Sequence, residues 1–185
     1  MDLHTYVQGA IKTESIIEEF RTQGIDAEFA IRFAVTAAQI VDVVKKAAYY
    51  NKPYDSDKLN KLILEAKTYL TSMPTLVENR MTFAVDTRLA HCAIGLFTES
   101  GEILEALLNP DLDYVNIREE LGDSEWYQAI GYDALQINPE DNLQNNHDKL
   151  KARFPNKFSS DDAINRNLNL EREILEDFAG KTANL

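Results

Sequence analysis

Four acidic residues stand symmetrically about one short connection in the second half of the chain. Glu99 and Glu102 are three residues apart, and so are Glu120 and Asp123. A spacing of three places two side chains on one face of a helix. Positions 99 and 123 have residue 111 as their midpoint, and so do positions 102 and 120. In an antiparallel helical hairpin that turns at residue 111, the pattern therefore predicts four carboxylates meeting between two helices.

Such a group of carboxylates favours a divalent cation site. Clustered carboxylates repel one another and raise each other's pKa, and a cation removes that repulsion. Ligand sets made only of oxygen suit Mg²⁺, Mn²⁺ or Ca²⁺ rather than zinc or copper. We expect Mg²⁺, with Mn²⁺ as a substitute. A di-iron centre would need Glu-x-x-His on two helices, and no histidine has a Glu three residues before it.

The position of Glu99 within its helix supports this expectation. It occupies a missing step in an apolar stripe that contains Leu89, Cys92, Leu96, Ile103 and Leu107. In the partner helix the predicted stripe is Ile117, Leu121, Ser124 and Tyr127, with Glu120 at its border. A solvated acidic face is the alternative, since Glu is a good helix former. The spacing alone leaves both interpretations open.

The rest of the chain is periodic at helical spacing, and no segment alternates as a strand would. The predicted helices cover residues 5–22, 27–50, 57–72, 86–108, 115–135, 139–153 and 161–178. Gly24 is predicted to end the first helix, and Pro74 marks a connector. Asp86 and Ser160 are predicted N-caps. We therefore expect an all-α protein.

Composition narrows the classes of function. The chain has 185 residues and a formal net charge of -12, which disfavours binding to a nucleic acid polymer. It has no apolar run of about 18 residues, so we expect no membrane span. The single cysteine and the absence of a signal-peptide pattern favour a cytoplasmic location. If the protein is phage-encoded, this is the host cytoplasm.

The order of the motifs resembles a known family. Glu-x-x-Glu, 17 further residues and Glu-x-x-Asp are followed by "KLKARFP", which resembles the MazG-like all-α nucleoside triphosphate pyrophosphatases, many of them encoded by bacteriophages. The matching stretches are "RLAHCAIGLFTESGEILEAL", "REELGDSEWYQAIGYDALQI" and "NHDKLKARFPNKFSSDDAINR". The resemblance implies a catalytic helical bundle at 76–185. Residues 1–75 would add an N-terminal helical region, as a degenerate repeat or an extension of the bundle.

The resemblance also implies an activity. The protein would be a Mg²⁺-dependent hydrolase that converts a nucleoside or deoxynucleoside triphosphate to the monophosphate and pyrophosphate. The residues implied to be catalytic and metal-binding are Glu99, Glu102, Glu120 and Asp123. Relatives often have one more Glu just before the first motif, where this chain has Thr98.

Further residues are candidates for contact with the substrate. Asn146, Lys149 and Arg153 lie at i, i+3 and i+7 of one helix, and the matching positions in MazG-like relatives bind substrate. The alternative is a cationic helix end that interacts with the helix dipole. Trp126 and Tyr127 are candidates for stacking on a base, with a place in the helical core as the alternative.

The family resemblance implies a homodimer or homotetramer, because one hairpin cannot bury both of its faces. Two other functions stay open at this point. One is a non-catalytic nucleotide- or protein-binding helical module that retains the acidic face. The other is a base-specific dUTPase of the same superfamily.

Overall fold

The computed structural model describes residues 1–18, 27–72 and 86–182, and at residues 27, 28, 72 and 177–182 it describes the backbone only. Eight α-helices and no strand are present in these residues, which confirms the all-α prediction there. The helices are α1 Leu3–Ala10, α2 Ala27–Tyr50, α3 Ser56–Ser72, α4 Thr87–Leu108, α5 Tyr114–Ala134, α6 Pro139–Arg153, α7 Ser160–Ile164 and α8 Leu168–Thr182. None of these helices is long and apolar enough to cross a membrane.

The chain divides into two compact units, each made of two segments. The first contains Met1–Arg21 and Thr82–Asn142, and the second contains Thr22–Met81 and Leu143–Leu185. The functional boundary predicted between residues 75 and 76 falls outside the described residues and stays a prediction.

Local capping explains where several helices begin. The Asp86 carboxylate accepts hydrogen bonds from the backbone N–H groups of Arg88 and Leu89, as predicted. Asp113 does the same at the start of α5, and Asn138 accepts from the backbone of Asp141 in α6. Each carboxylate or amide oxygen satisfies N–H groups that have no partner within the helix.

The first predicted helix is wrong beyond its second turn. α1 ends at Ala10, a short 3₁₀ helix covers Ile11–Thr13, and Glu14 is extended with φ -68° and ψ 134°. The Glu14 carboxylate forms an ion pair with the guanidinium of Arg88, with its Oε2 at 2.6 Å from Nη2. A long-range ion pair therefore forms where the prediction continued the helix. The predicted helix end at Gly24 lies outside the described residues.

The last predicted helix, 161–178, is instead two helices. Ser159, rather than Ser160, caps α7 by accepting from the backbone of Asp162. The Asn167 side chain accepts from the backbone of Leu170 and starts α8. Between them the Asn165 side chain donates to Asp161, which is the local side-chain competition that interrupts helices.

The first unit is built around the α4–α5 hairpin with α1 packed on α5. Its core contains Val7, Ala10 and Ala129, and Ile130 beside them is fully buried. In the second unit α2 and α3 pair through the ring of Phe29, whose centroid is 5.3 Å from that of Tyr69.

Candidate functional site

Two close approaches define the register of the α4–α5 hairpin. A Cβ atom on Gly131 would lie 2.8 Å from the Cys92 Sγ, and one on Gly95 would lie 2.1 Å from Tyr127 Cδ1. In both contacting pairs the midpoint in sequence lies at about residue 111, as it does in the acidic pairs, so the predicted register is found. The two helices therefore run antiparallel, and Glu99 faces the stretch of α5 that contains Glu120 and Asp123.

Three of the four predicted carboxylates come together in this hairpin. Glu99, Glu120 and Asp123 each offer an oxygen, and these oxygens all lie within 4.8 Å of one another. Glu99 is only 8% exposed and Glu120 only 6%, whereas Asp123 lies at the surface. This group, called the carboxylate cluster below, could hold a metal ion.

The electrostatics of the cluster fit a hard cation. A hydrogen bond with Glu99, followed by burial and the negative charge of Glu102, raises the pKa of Glu120 to about 7. The raised pKa means that the charged form of Glu120 is disfavoured without a positive partner. A divalent cation would supply that partner, and carboxylate oxygens are the ligands that Mg²⁺ and Mn²⁺ prefer.

Glu102 lies apart from the other three. It is exposed, and it lines a separate cavity of about 330 Å³ whose other residues include Glu105, Asn109 and Asp113. Its charge nevertheless reaches the cluster, because it raises the pKa of Glu120. The role of Glu102 as ligand or catalyst stays a prediction.

The packing of α5 differs from the predicted stripe. Glu120 is part of the buried face rather than its border, and Leu121 is exposed instead of buried. In α4 the predicted replacement of an apolar side chain by Glu99 is confirmed, since this carboxylate is among the buried residues of the helix.

Thr98 and Gly95 help to position the cluster, a role that the sequence did not predict for either residue. The Thr98 hydroxyl lies 2.9 Å from the Gly95 carbonyl oxygen and 3.3 Å from Glu99 Oε1, so it restricts the Glu99 side chain. Gly95 leaves room for the Tyr127 ring. The one available signal was a glycine in mid-helix, one turn before Glu99, which often marks a close approach.

The aromatic pair beside the cluster has two different environments. Trp126 packs on the α1–α5 core, and its indole N–H lies 3.2 Å from the Ala10 carbonyl oxygen and 2.9 Å from Thr13 Oγ1. Tyr127 is influenced by the carboxylates, since burial and then the charges of Glu99 and Asp123 raise the pKa of its hydroxyl. Contact of either ring with a substrate base stays a prediction.

The predicted cationic face of α6 belongs largely to the second unit. Asn146 is exposed and Lys149 is half-buried. The Arg153 side chain binds the buried carboxylate of Glu171, with Nε at 2.8 Å and Nη2 at 2.5 Å. That carboxylate also accepts from Arg166, so Arg153 has a structural partner. Substrate binding by these α6 residues stays a prediction.

No protein-family model matches the chain, and neither a curated protein nor a solved structure matches it. Membership of the MazG-like family is therefore a proposal, based on motif residues between 88 and 166 and on the geometry of the α4–α5 hairpin.

Proposed function

We propose that this protein is a MazG-like, metal-dependent nucleoside triphosphate pyrophosphohydrolase, which releases a nucleoside monophosphate and pyrophosphate. The observation that supports the proposal most is the convergence of Glu99, Glu120 and Asp123 within 4.8 Å across an antiparallel hairpin. A merely solvated acidic face would leave its carboxylates exposed, whereas two of these three are buried.

The carboxylate cluster has the donor set that Mg²⁺ requires. Glu99, Glu120 and Asp123 would hold the ion, and a ligand role for Glu102, which lies outside this group, stays a prediction. When bound, Mg²⁺ supplies neutralisation of phosphate charge and acidification of a coordinated water.

The chain's own residues supply positioning and a proton acceptor. Glu99 is buried beside the Thr98 hydroxyl and the Glu120 carboxyl group, and its carboxylate would accept a proton from the attacking water. Asp123 is exposed, so the cluster is open to solvent on that side.

A homodimer or homotetramer is part of the same proposal. Phe97, Leu104 and Leu108 follow one another at spacings of seven and four on one face of α4, and all three are exposed. An apolar stripe on a helix normally faces another element. A second copy of this chain is the partner that the family resemblance implies.

The competing function is a helical module that binds nucleotide or protein without turnover. It shares the acidic face with the enzyme, so a metal-binding measurement alone does not separate the two. Release of pyrophosphate does.

The test is a pyrophosphate-release assay with Mg²⁺ or Mn²⁺ and a panel of NTPs and dNTPs that includes dUTP. We expect Asp123→Asn and Glu99→Gln to lower turnover by about a hundredfold or more. Glu125→Gln, an exposed neighbour on α5 outside the cluster, is the matched control and should retain activity. Turnover of dUTP alone would identify a dUTPase. Folded wild-type protein that binds Mg²⁺ but releases no pyrophosphate from any substrate would favour the binding module.

A further inference from the structure

A second feature of the first unit lies toward the N-terminal end of α4. It is a cavity of about 330 Å³ between the irregular segment at residues 14–17 and the first two turns of the helix. Ile17 and Ile94 form apolar walls, and His91 forms an aromatic one. Called the α4 cavity here, it falls within the size range of small-molecule sites.

The charges around the α4 cavity argue against an anionic ligand. Arg88 is the cation in its lining, and this guanidinium is bound by two carboxylates. One belongs to Glu14, whose side chain is 1% exposed, and the other belongs to Asp133, at 2.8 Å from Nη1. With one cation between two anions, the surroundings suit a neutral ligand better than a phosphate.

The aromatic wall packs edge-on against two neighbouring rings. The His91 ring centroid lies 5.7 Å from that of Trp126 and 5.4 Å from that of Tyr127, with both pairs edge-on. Within the described residues the His91 ring nitrogens have no hydrogen-bond partner, so they are available to a ligand. A fixed aromatic ring with free polar atoms and aliphatic neighbours is suited to a planar heterocycle.

The cavity lies on a face of α4 that passes beside the carboxylate cluster at Thr98, whose hydroxyl is 3.3 Å from Glu99 Oε1. His91, Ile94, Thr98 and Glu102 follow one another at spacings of three, four and four, so they form one continuous face of α4. His91 and Glu99 are eight residues apart, which is roughly 12 Å of helix rise. Tyr127 lies between the cavity and the cluster in this sense: its ring contacts His91, and the charges of Glu99 and Asp123 help burial to raise the pKa of its hydroxyl.

From these observations we propose that the α4 cavity binds the base of a nucleotide whose phosphates lie at the carboxylate cluster. Ile17, His91 and Ile94 would contact the heterocycle, and the Ser15 and Thr87 hydroxyls would lie near its polar edge. This inference rests on the proposed function for the phosphates, but the cavity itself would bind a nucleoside without metal.

The experiment titrates the full-length protein in EDTA with the 2′-deoxynucleosides of adenine, guanine, cytosine, thymine and uracil. They contain no phosphate, so binding is independent of the cluster. We expect at least one to bind. Ile94→Trp, which fills the cavity, should weaken that binding roughly tenfold or more through lost apolar contact. Leu135→Trp, at an exposed position at the end of α5, is the matched control and should bind as wild type does.

A second variant covers the case in which Ile94→Trp does not fold. Ile17 is half-exposed in a segment outside the helices, so Ile17→Ser should fold and should also weaken nucleoside binding. Wild-type affinity in a folded cavity variant would overturn the proposal. So would a complete lack of nucleoside binding by the wild type.

The pyrophosphate assay separates the two proposals. Nucleoside binding that depends on Ile94, without pyrophosphate release, would support the cavity and contradict the hydrolase. Pyrophosphate release with wild-type KM in Ile94→Trp would support the hydrolase and place the base elsewhere.

Discussion

Gly95 of α4 lies directly against the ring of Tyr127 of α5, so closely that a Cβ atom at position 95 would stand 2.1 Å from Cδ1 of the ring. This contact sets the distance between the two helices one turn before Glu99. The glycine therefore determines how closely the carboxylates of α4 and α5 approach each other.

Replacement of this glycine should loosen the hairpin. Gly95→Ala forces the Tyr127 ring to move, and we expect the free energy of unfolding to fall by about 1–3 kcal/mol in urea denaturation. Gly101→Ala is the matched control on the same helix, because a Cβ atom there meets nothing within 4 Å. It should be neutral or stabilise the protein by up to about 1 kcal/mol. Equal changes in the free energy of unfolding for the two substitutions would show that the contact between Gly95 and Tyr127 does not contribute to stability.

The metal-free protein should lose stability as the pH rises toward 7. The folded pKa of Glu120 is about 7, above its ordinary value of 4.5, so its neutral form is favoured by folding. This contribution is complete below about pH 4.5 and is lost as the pH rises through 7. Thermal unfolding in EDTA between pH 5 and 8 measures it. Glu120→Gln should flatten the dependence, and the exposed Glu125→Gln should leave it unchanged.

Added Mg²⁺ should act in the opposite sense. Because the proton and the cation compete for the same carboxylates, Mg²⁺ should raise the melting temperature more at pH 8 than at pH 5.5. A Mg²⁺ effect that is independent of pH would argue that the ion binds elsewhere.

The buried carboxylate of Glu171 should stabilise the second unit at neutral pH. Hydrogen bonds from Arg153 and then Arg166 lower its pKa to about 2. A lowered folded pKa gives stability that is present above about pH 4.5 and is lost as the pH falls toward 2. Glu171→Gln leaves two guanidinium groups without their anion, and we expect a loss of about 2 kcal/mol or more in urea denaturation at pH 7.

Glu176→Gln provides the comparison for that experiment. It breaks the exposed pair with Arg172 on the same helix, and such surface pairs contribute less than about 0.5 kcal/mol. If both variants lose the same small amount, Glu171 does not hold α6 and α8 in the manner described.

Self-association should depend on the apolar stripe of α4. Leu104 is half-exposed in that stripe, and Leu104→Glu places a charge where a second copy would have to exclude water. Light scattering after size exclusion should show a shift toward monomer, with dissociation at least roughly tenfold stronger. Leu64→Glu, exposed on α3 in the other unit, is the control and should keep the wild-type mass. A wild-type protein that is monomeric at every concentration would contradict the proposed assembly.

Much of the helical framework follows from the sequence, because the signals that define it are local. Asp86 accepts hydrogen bonds from the N–H groups two and three residues after it, and the periodic apolar residues of α2, α3 and α4 need only their own helix. The antiparallel register also follows from the sequence, since a short connection around residue 111 requires the two acidic pairs to lie at the same level of the hairpin. The sequence therefore groups Glu99, Glu102, Glu120 and Asp123, of which the structure brings Glu99, Glu120 and Asp123 together.

Other features depend on partners far away in the chain. Glu14 pairs with Arg88, 74 residues later in the chain. The Trp126 indole N–H donates to the Ala10 carbonyl oxygen at the end of α1 and to the Thr13 hydroxyl of the 3₁₀ helix. No local pattern contains those partners, so the end of α1 at Ala10 and the packing of the Trp126 indole depend on tertiary contacts. The α4 cavity has the same origin, because its walls come from two segments that only folding brings together.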